Sequence, residues 1–200
     1  MNDKAASGSF ESLQTSYSSY PFFCTIPNAF DTEQCLQIID AHSRSTRKAE
    51  HQINNSDTGQ KIRHADVFWL ARDKNTDWIF NRLVTILEKV NTSQFHYDLD
   101  GTPFDLQLVR YRTGQTHAWH ADFGHEGLSR RKLSASVQLS ASSDYSGGGL
   151  ELMTNNGVQS ASADQGSMTV FGSWVMHRAV ELKGGERWAL VVWATGTPFH

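Results

Sequence analysis

Apolar positions recur at two different spacings along this chain, and the spacing changes near residue 105. Before that point the period is helical. In "NTDWIFNRLVTILEKVN", Ile79, Leu83, Ile86, Leu87 and Val90 fall on one stripe, which predicts an amphipathic helix. "DTEQCLQIIDAH" predicts a second, earlier one. Asp31 stands at the N-cap with Gln34 three residues on, as in a capping box, and Cys35, Ile38, Ile39 and His42 follow at helical spacing. Between the two helices, "STRKAEHQINNSDTGQK" is polar throughout and reads as a long loop. "YPFFCTIPNAF" reads as an extended entry strand, and the Ser-rich residues 1–20 as a loose tail.

From residue 105 the runs are short and alternating: "DLQLVRYR", "KLSASVQLSA", "GLELMT", "SMTVFG", "WVMHRAV" and "RWALVVWA". The turn signals "TGQ", "SGGG", "TNNG" and "KGGE" separate most of them. Two helices followed by six or more short strands predict an α+β, mainly β fold. Its core is a barrel or jelly-roll (double-stranded β-helix), with the N-terminal helices packed outside. The expected organisation is a tail over 1–20 and one domain over 21–200. That domain divides into a helical lead-in at 21–104 and a jelly-roll core at 105–198.

Composition narrows the function classes. Lys and Arg number 18 against 21 Asp and Glu, a net charge of −3, so the chain as a whole has no pull on nucleic acid or anionic membrane. Cys24 and Cys35 are not in metal-like spacing, and Cys35 falls on an apolar helix stripe. They read as free thiols of a reducing, cytoplasmic compartment. No segment carries the run of apolar residues that a membrane-spanning helix needs.

The candidate chemistry lies in "THAWHADFG", residues 116–124. In a strand, positions two apart share a face, so His120 and Asp122 can present an imidazole and a carboxylate to one ion. His117, three residues away, is expected to face away from the ion, as a pocket-rim or packing residue. A third ligand must come from elsewhere, among His42, His51, His64, His96, His125, His177 and His200. His177, in the apolar run "WVMHRAV", is the candidate a jelly-roll brings face to face with His120. Two histidines and one carboxylate form the facial triad of non-haem Fe(II) oxygenases. Arg187 follows ten residues after His177. Turned back by "KGGE", it would enter the same interior, where a guanidinium requires an anionic partner. A dicarboxylate would supply one through bidentate hydrogen bonds.

"LQLVRYRTGQTHAWHADFG", "RRKLSASVQLSASSDYSGGGLEL" and "GSMTVFGSWVMHRAVELKGGERWALVVWATGTPF" together resemble the Fe(II)/2-oxoglutarate-dependent dioxygenases of the prolyl 4-hydroxylase type. The resemblance covers roughly residues 20–200 and is densest over 106–198. It implies that His120, Asp122 and His177 bind Fe(2+) and that Arg187 pairs with the distal carboxylate of 2-oxoglutarate. Tyr111 would line the cosubstrate pocket, with Gln138 as a neighbouring pocket side chain. The implied reaction consumes O2 and 2-oxoglutarate, releases succinate and CO2 and hydroxylates an unactivated C–H bond, with ascorbate as a reductant. The retained Asp122 favours hydroxylation over halogenation. Trp193, where related nucleic-acid demethylases carry a second arginine, disfavours that branch. A prolyl residue of a protein or peptide is the leading substrate, and a free amino acid or other small molecule the alternative. The polar 47–62 loop and "FGHEGLSRRK" would form the substrate rim, with His125, Arg130 and Arg131 as its polar contacts. Outside the oxygenase class stand two readings: a metal-holding jelly-roll sensor that turns nothing over, and a cupin-like enzyme without an oxo acid.

Overall fold

A computed structural model describes residues 21–45, 50–54, 61–101 and 105–198. The tail expected over 1–20 lies outside the described residues. The chain enters through β1 (Phe23–Ile26) and α1 (Thr32–Asp40), then β2 (Glu50–Asn54), β3 (Lys61–Ala71) and α2 (Asp77–Val90). Next come β4 (Leu99–Gly101), β5 (Asp105–Arg112), β6 (Thr116–His120) and β7 (Arg131–Gln138). The remaining strands are β8 (Tyr145–Gly147), β9 (Leu150–Thr154), β10 (Gly157–Ser160), β11 (Met168–Gly172), β12 (His177–Ala179) and β13 (Leu182–Gly196).

The strands form one curled antiparallel sheet in the order β1-β11-β7-β13-β5-β3-β6-β12-β9-β10. This is the expected jelly-roll. Its inner and outer faces follow from strand alternation. On β13, Trp188, Leu190, Val192 and Ala194 point outward into the core shared with the helices. Arg187, Ala189, Val191 and Trp193 point inward to a cavity. β5 divides likewise, with Leu106 and Leu108 outward and Gln107, Val109 and Tyr111 inward.

The helices cover the outer face as expected. The Asp31 capping box is formed: Gln34 N–H donates to Asp31 Oδ1 at 2.8 Å, and Asp31 N–H donates to Gln34 Oε1 at 3.0 Å. Ile79, Phe80, Leu83, Leu87 and Val90 of α2 are buried against the sheet.

Two expectations are corrected here. The polar stretch between the helices is not simply a loop: residues 50–54 form β2, paired with β3. β3 itself lies between β5 and β6 in the sheet, so the stretch 21–104 supplies strands as well as helices. Its "RHADVFWLA" alternates, with Ala65 and Val67 facing inward and Leu70 joining the helix-covered core. The second correction concerns "KGGE", which is not a turn. Residues 183–186 run within β13; Gly184 and Gly185 pair with β8 through an irregular register, and Glu186 already pairs with Arg112 of β5. Gly185 has φ +80°, and a Cβ there would sit 2.1 Å from the Asp144 carbonyl oxygen, so the bend requires glycine.

Candidate metal and cosubstrate site

The inner face holds a cavity of about 270 Å³, and three ligand-type side chains converge in it. The donor atoms of His120, Asp122 and His177 lie within 4.8 Å of one another. Backbone pairing explains the convergence, because His177 on β12 stands directly opposite His120 on β6. Asp122 follows two residues after His120. Its amide N–H donates to the Ser173 carbonyl at 3.0 Å, which ties the segment after β6 to the approach to β12.

The protein fixes the protonation pattern of the imidazoles. His120 Nδ1 lies 2.8 Å from the Ala118 carbonyl, and His177 Nδ1 lies 2.9 Å from the Val175 carbonyl. A carbonyl only accepts, so each Nδ1 is a donor, and in the neutral tautomer it is Nε2 that is left to ligate. Those Nε2 atoms lie 3.6 Å from Asp122 Oδ1 and Oδ2 respectively, too far to be hydrogen-bonded. Burial, with the His177 charge, brings the His120 pKa down to about 4. Burial alone would raise the Asp122 pKa. His177, His120 and the Ser134 hydroxyl outweigh it and hold the carboxyl below its ordinary value. Ser134 Oγ donates to Asp122 Oδ2 at 2.7 Å and is 3.0 Å from Ser173 Oγ. Two imidazoles that can ligate through Nε2 and one oriented carboxylate form a donor set that fits a divalent transition metal, Fe(2+) included.

His117 has the expected place at the pocket but not the expected facing. Its ring stacks on His120 with centroids 3.6 Å apart, and it lines the cavity rather than facing away. The step from His177 to Ala179 on β12 spans two residues, while the opposing step from His120 to His117 spans three. That extra residue is a β-bulge, which resets the alternation. Burial, then the charges of His120, Arg63 and His177, brings the His117 pKa down to about 2.

Arg187 is 4% exposed and also lines the cavity. Its Nε donates to Gln138 Oε1 at 2.9 Å. Gln138 Nε2 in turn donates to the Tyr145 hydroxyl at 2.9 Å and the Ser140 carbonyl at 3.0 Å. Tyr111 stands opposite Arg187 in the strand register, with the guanidinium carbon 5.7 Å from its ring. Burial pushes the Tyr111 phenol pKa up, against the opposing charges of Arg187 and Arg63.

Of the three rim residues read from the sequence, Arg131 lines the cavity, its guanidinium 3.8 Å from the Trp193 ring centroid. Arg130 turns to Asp100, and His125 is exposed at the start of a short helical turn. Sequence reasoning missed Arg63, Trp69 and Gln107 on the cavity wall, together with Ser134, Ser173 and Tyr145 behind it.

The family model described as the 2OG-Fe(II) oxygenase superfamily matches residues 106–195. The resemblance to 2OG-Fe(II) oxygenases of the prolyl 4-hydroxylase type is therefore borne out. A PKHD-type hydroxylase of Shewanella sp. (strain ANA-3) is 34% identical over 88 residues, 42% of this chain and 39% of that protein. Another, from Alteromonas mediterranea, is 31% identical over 129 residues, 62% of this chain and 57% of that protein. The matches thus span between about two fifths and three fifths of the length of these curated relatives. Among solved structures, a Pseudomonas putida prolyl-4-hydroxylase superposes with a TM-score of 0.68 at 18% identity, covering 88% of this chain and 93% of its own. A Trichoplax adhaerens prolyl hydroxylase in complex with a peptide fragment of the hypoxia inducible factor oxygen degradation domain gives 0.67 at 17% identity, covering 87% and 83%. At such identities the likeness to the solved structures is one of fold.

Proposed function

We propose that this chain is an Fe(II)- and 2-oxoglutarate-dependent dioxygenase that hydroxylates an unactivated C–H bond, with release of succinate and CO2. One observation carries the reading: the His120, Asp122 and His177 donors converge in the same cavity that Arg187 enters. A binding-only module has no use for the guanidinium, and a cupin-like enzyme without an oxo acid leaves it without a role.

His120 and His177 hold the metal through Nε2, their tautomers set by the Ala118 and Val175 carbonyls. Asp122 is the anionic ligand, aimed by the Ser134 hydroxyl. Arg187 binds the distal carboxylate of 2-oxoglutarate, with Gln138 fixing its fork and Tyr111 at its side. Fe(2+), when bound, supplies the oxidative chemistry of O2 and the 2-oxo acid. The protein's part is to orient the reactants and keep water from them. Ascorbate serves as reductant.

The leading substrate is a prolyl or prolyl-like group. The names of the solved relatives, one holding a peptide, support a peptidyl prolyl residue. The second reading is a free amino acid or other small molecule. The described thiols of Cys24 and Cys35 are both free, which supports a reducing cytoplasmic setting.

The test is to give anaerobically purified protein Fe(II), 2-oxoglutarate and O2 and to measure succinate with and without candidate substrates. Succinate formed only with all three supports the reading. Full iron loading without succinate would sink it.

A further inference from the structure

A buried donor in the cavity wall has no seated acceptor. The Trp193 indole Nε1 is closed off from solvent and makes no hydrogen bond among the described residues. A buried N–H in that state is costly and uncommon, so the direction in which it lies is informative.

Trp193 stands directly opposite Ser134 in the register of β13 with β7. Opposed residues of an antiparallel pair lie side by side on one face. Ser134 Oγ donates to Asp122 Oδ2 at 2.7 Å, so the indole stands beside the same carboxylate, and both Trp193 and Asp122 line the cavity. The N–H is near enough to help hold the Asp122 carboxyl low, without being seated as a hydrogen bond. The ring is also held in place. The Arg131 guanidinium lies 3.8 Å from its centroid, and Arg131 Nη1 is 3.5 Å from the Asp122 carbonyl oxygen. The Trp69 indole packs against it at 6.5 Å between centroids. An aromatic donor is thus fixed next to the one anionic member of the donor set. The two imidazoles each have a partner of their own, the carbonyls of Ala118 and Val175.

We propose that Trp193 is a positioning residue for the metal centre: its indole N–H and the Ser134 hydroxyl together hold the Asp122 carboxylate in its ligating orientation, toward the two imidazoles. The N–H closes onto the carboxylate as Asp122 takes up the metal, and the bond is charge-assisted. Each of the three ligands then has a partner behind it, as metal ligands generally do. This rests on the metal site of the oxygenase reading above, and its test reads metal binding rather than turnover.

Trp193→Phe removes the N–H together with part of the ring. Benzothienylalanine incorporated at position 193 keeps the bicyclic ring, with sulfur in place of the N–H. Fe(II) affinity of the anaerobic protein is measured by competition with a chelator. Both variants are expected to bind Fe(II) about tenfold more weakly than the wild type. The metal-free sulfur variant should unfold at the same urea concentration as the wild type, because the N–H has no seated bond in the fold to lose. In isotope-labelled wild-type protein, Zn(II) should move the Trp193 indole N–H resonance downfield, the resonance being assigned by its absence from Trp193→Phe. Wild-type Fe(II) affinity in the sulfur variant overturns the proposal, since the ring would then only pack. So does an indole resonance that Zn(II) does not move downfield. A metal-free sulfur variant that loses stability overturns it as well, because the N–H would then serve the fold. If the expected responses appear but the loaded wild type forms no succinate, the oxygenase reading fails while the role of Trp193 at Asp122 stands.

Discussion

His117 and His120 stack face to face at 3.6 Å between ring centroids, although their spacing on a regular strand would put them on opposite faces. The bulge opposite β12 brings them together. His117 therefore supports a proposed ligand from the side without joining the group of three donors.

That placement separates the histidines experimentally. His117→Ala is expected to weaken metal affinity by about tenfold, in the range seen for residues that buttress a ligand, while leaving metal stoichiometry unchanged. His120→Ala and His177→Ala are expected to remove metal binding. Metal titration with elemental analysis distinguishes the cases. If His117→Ala lost the metal as completely as His120→Ala, the ligand assignment would be wrong.

The depressed imidazoles make the metal-free protein sensitive to acid. A histidine whose folded pKa lies below its unfolded value binds its proton more weakly when folded. It therefore contributes stability above the ordinary value of 6.5, and that stability is lost as the pH falls. For His120 the loss runs from 6.5 down to about 4; for His117 it runs from the same value down to about 2. Each contributes up to about 1.4 kcal/mol per pH unit inside its window. Urea denaturation of the metal-free protein between about pH 7 and pH 5 should show the decline. His117→Phe should reduce its slope. A flat profile would mean that the rings are protonated at little cost in the fold.

Arg187, Gln138 and Tyr145 form a chain in which each member orients the one before. Arg187→Ala should raise the 2-oxoglutarate requirement by about tenfold to a hundredfold, as for loss of a charge-assisted bond. Gln138→Leu should act in the same direction but less, since the guanidinium remains. Tyr145→Phe should act least. Succinate formation against 2-oxoglutarate concentration gives the order, and a larger effect at Tyr145 than at Arg187 would contradict it.

On the opposite face of the β3–β5 pair, Asp66 of β3 is 2% exposed and accepts from Arg110 Nη2 at 2.6 Å and from Arg112 Nη1 at 2.9 Å. Asp66→Ala removes the buried partner but leaves Arg110 and Arg112 partly in water, with Glu186 beside them. It should therefore cost about 1–2 kcal/mol of stability, as for loss of charge-assisted hydrogen bonds. Because this network stands behind the sheet, metal binding by the fraction that remains folded should be unchanged. Chemical denaturation and metal titration together check both halves.

What could be read from the chain depended on local regularity. The capping box at Asp31, the stripe of α2 and the alternation of β13 are local patterns, and the structure forms them as the sequence predicts. Reading failed where tertiary pairing overrides the local period. At His117 a bulge in the pairing of β6 with β12 changed the face of a side chain. At "KGGE" the glycines mark a bend that lets one strand leave β8 and join β5 and β7. The polar residues of β2 are held by pairing with β3 and carry no apolar signal of their own. Arg63 was invisible for a related reason. A cation within an alternating strand looks solvent-facing until the sheet curls over it.

The two faces of β13 set a limit on how this sequence can drift. Arg187, Ala189, Val191 and Trp193 furnish the cavity, while the residues interleaved with them anchor the helices. Loss or gain of one residue between 187 and 194 would exchange the two sets, turning a guanidinium into the oily layer and a tryptophan toward the proposed metal. Length changes in this stretch should therefore be far less tolerated than point substitutions, whereas the "TNNG" turn between β9 and β10 can lengthen at little cost.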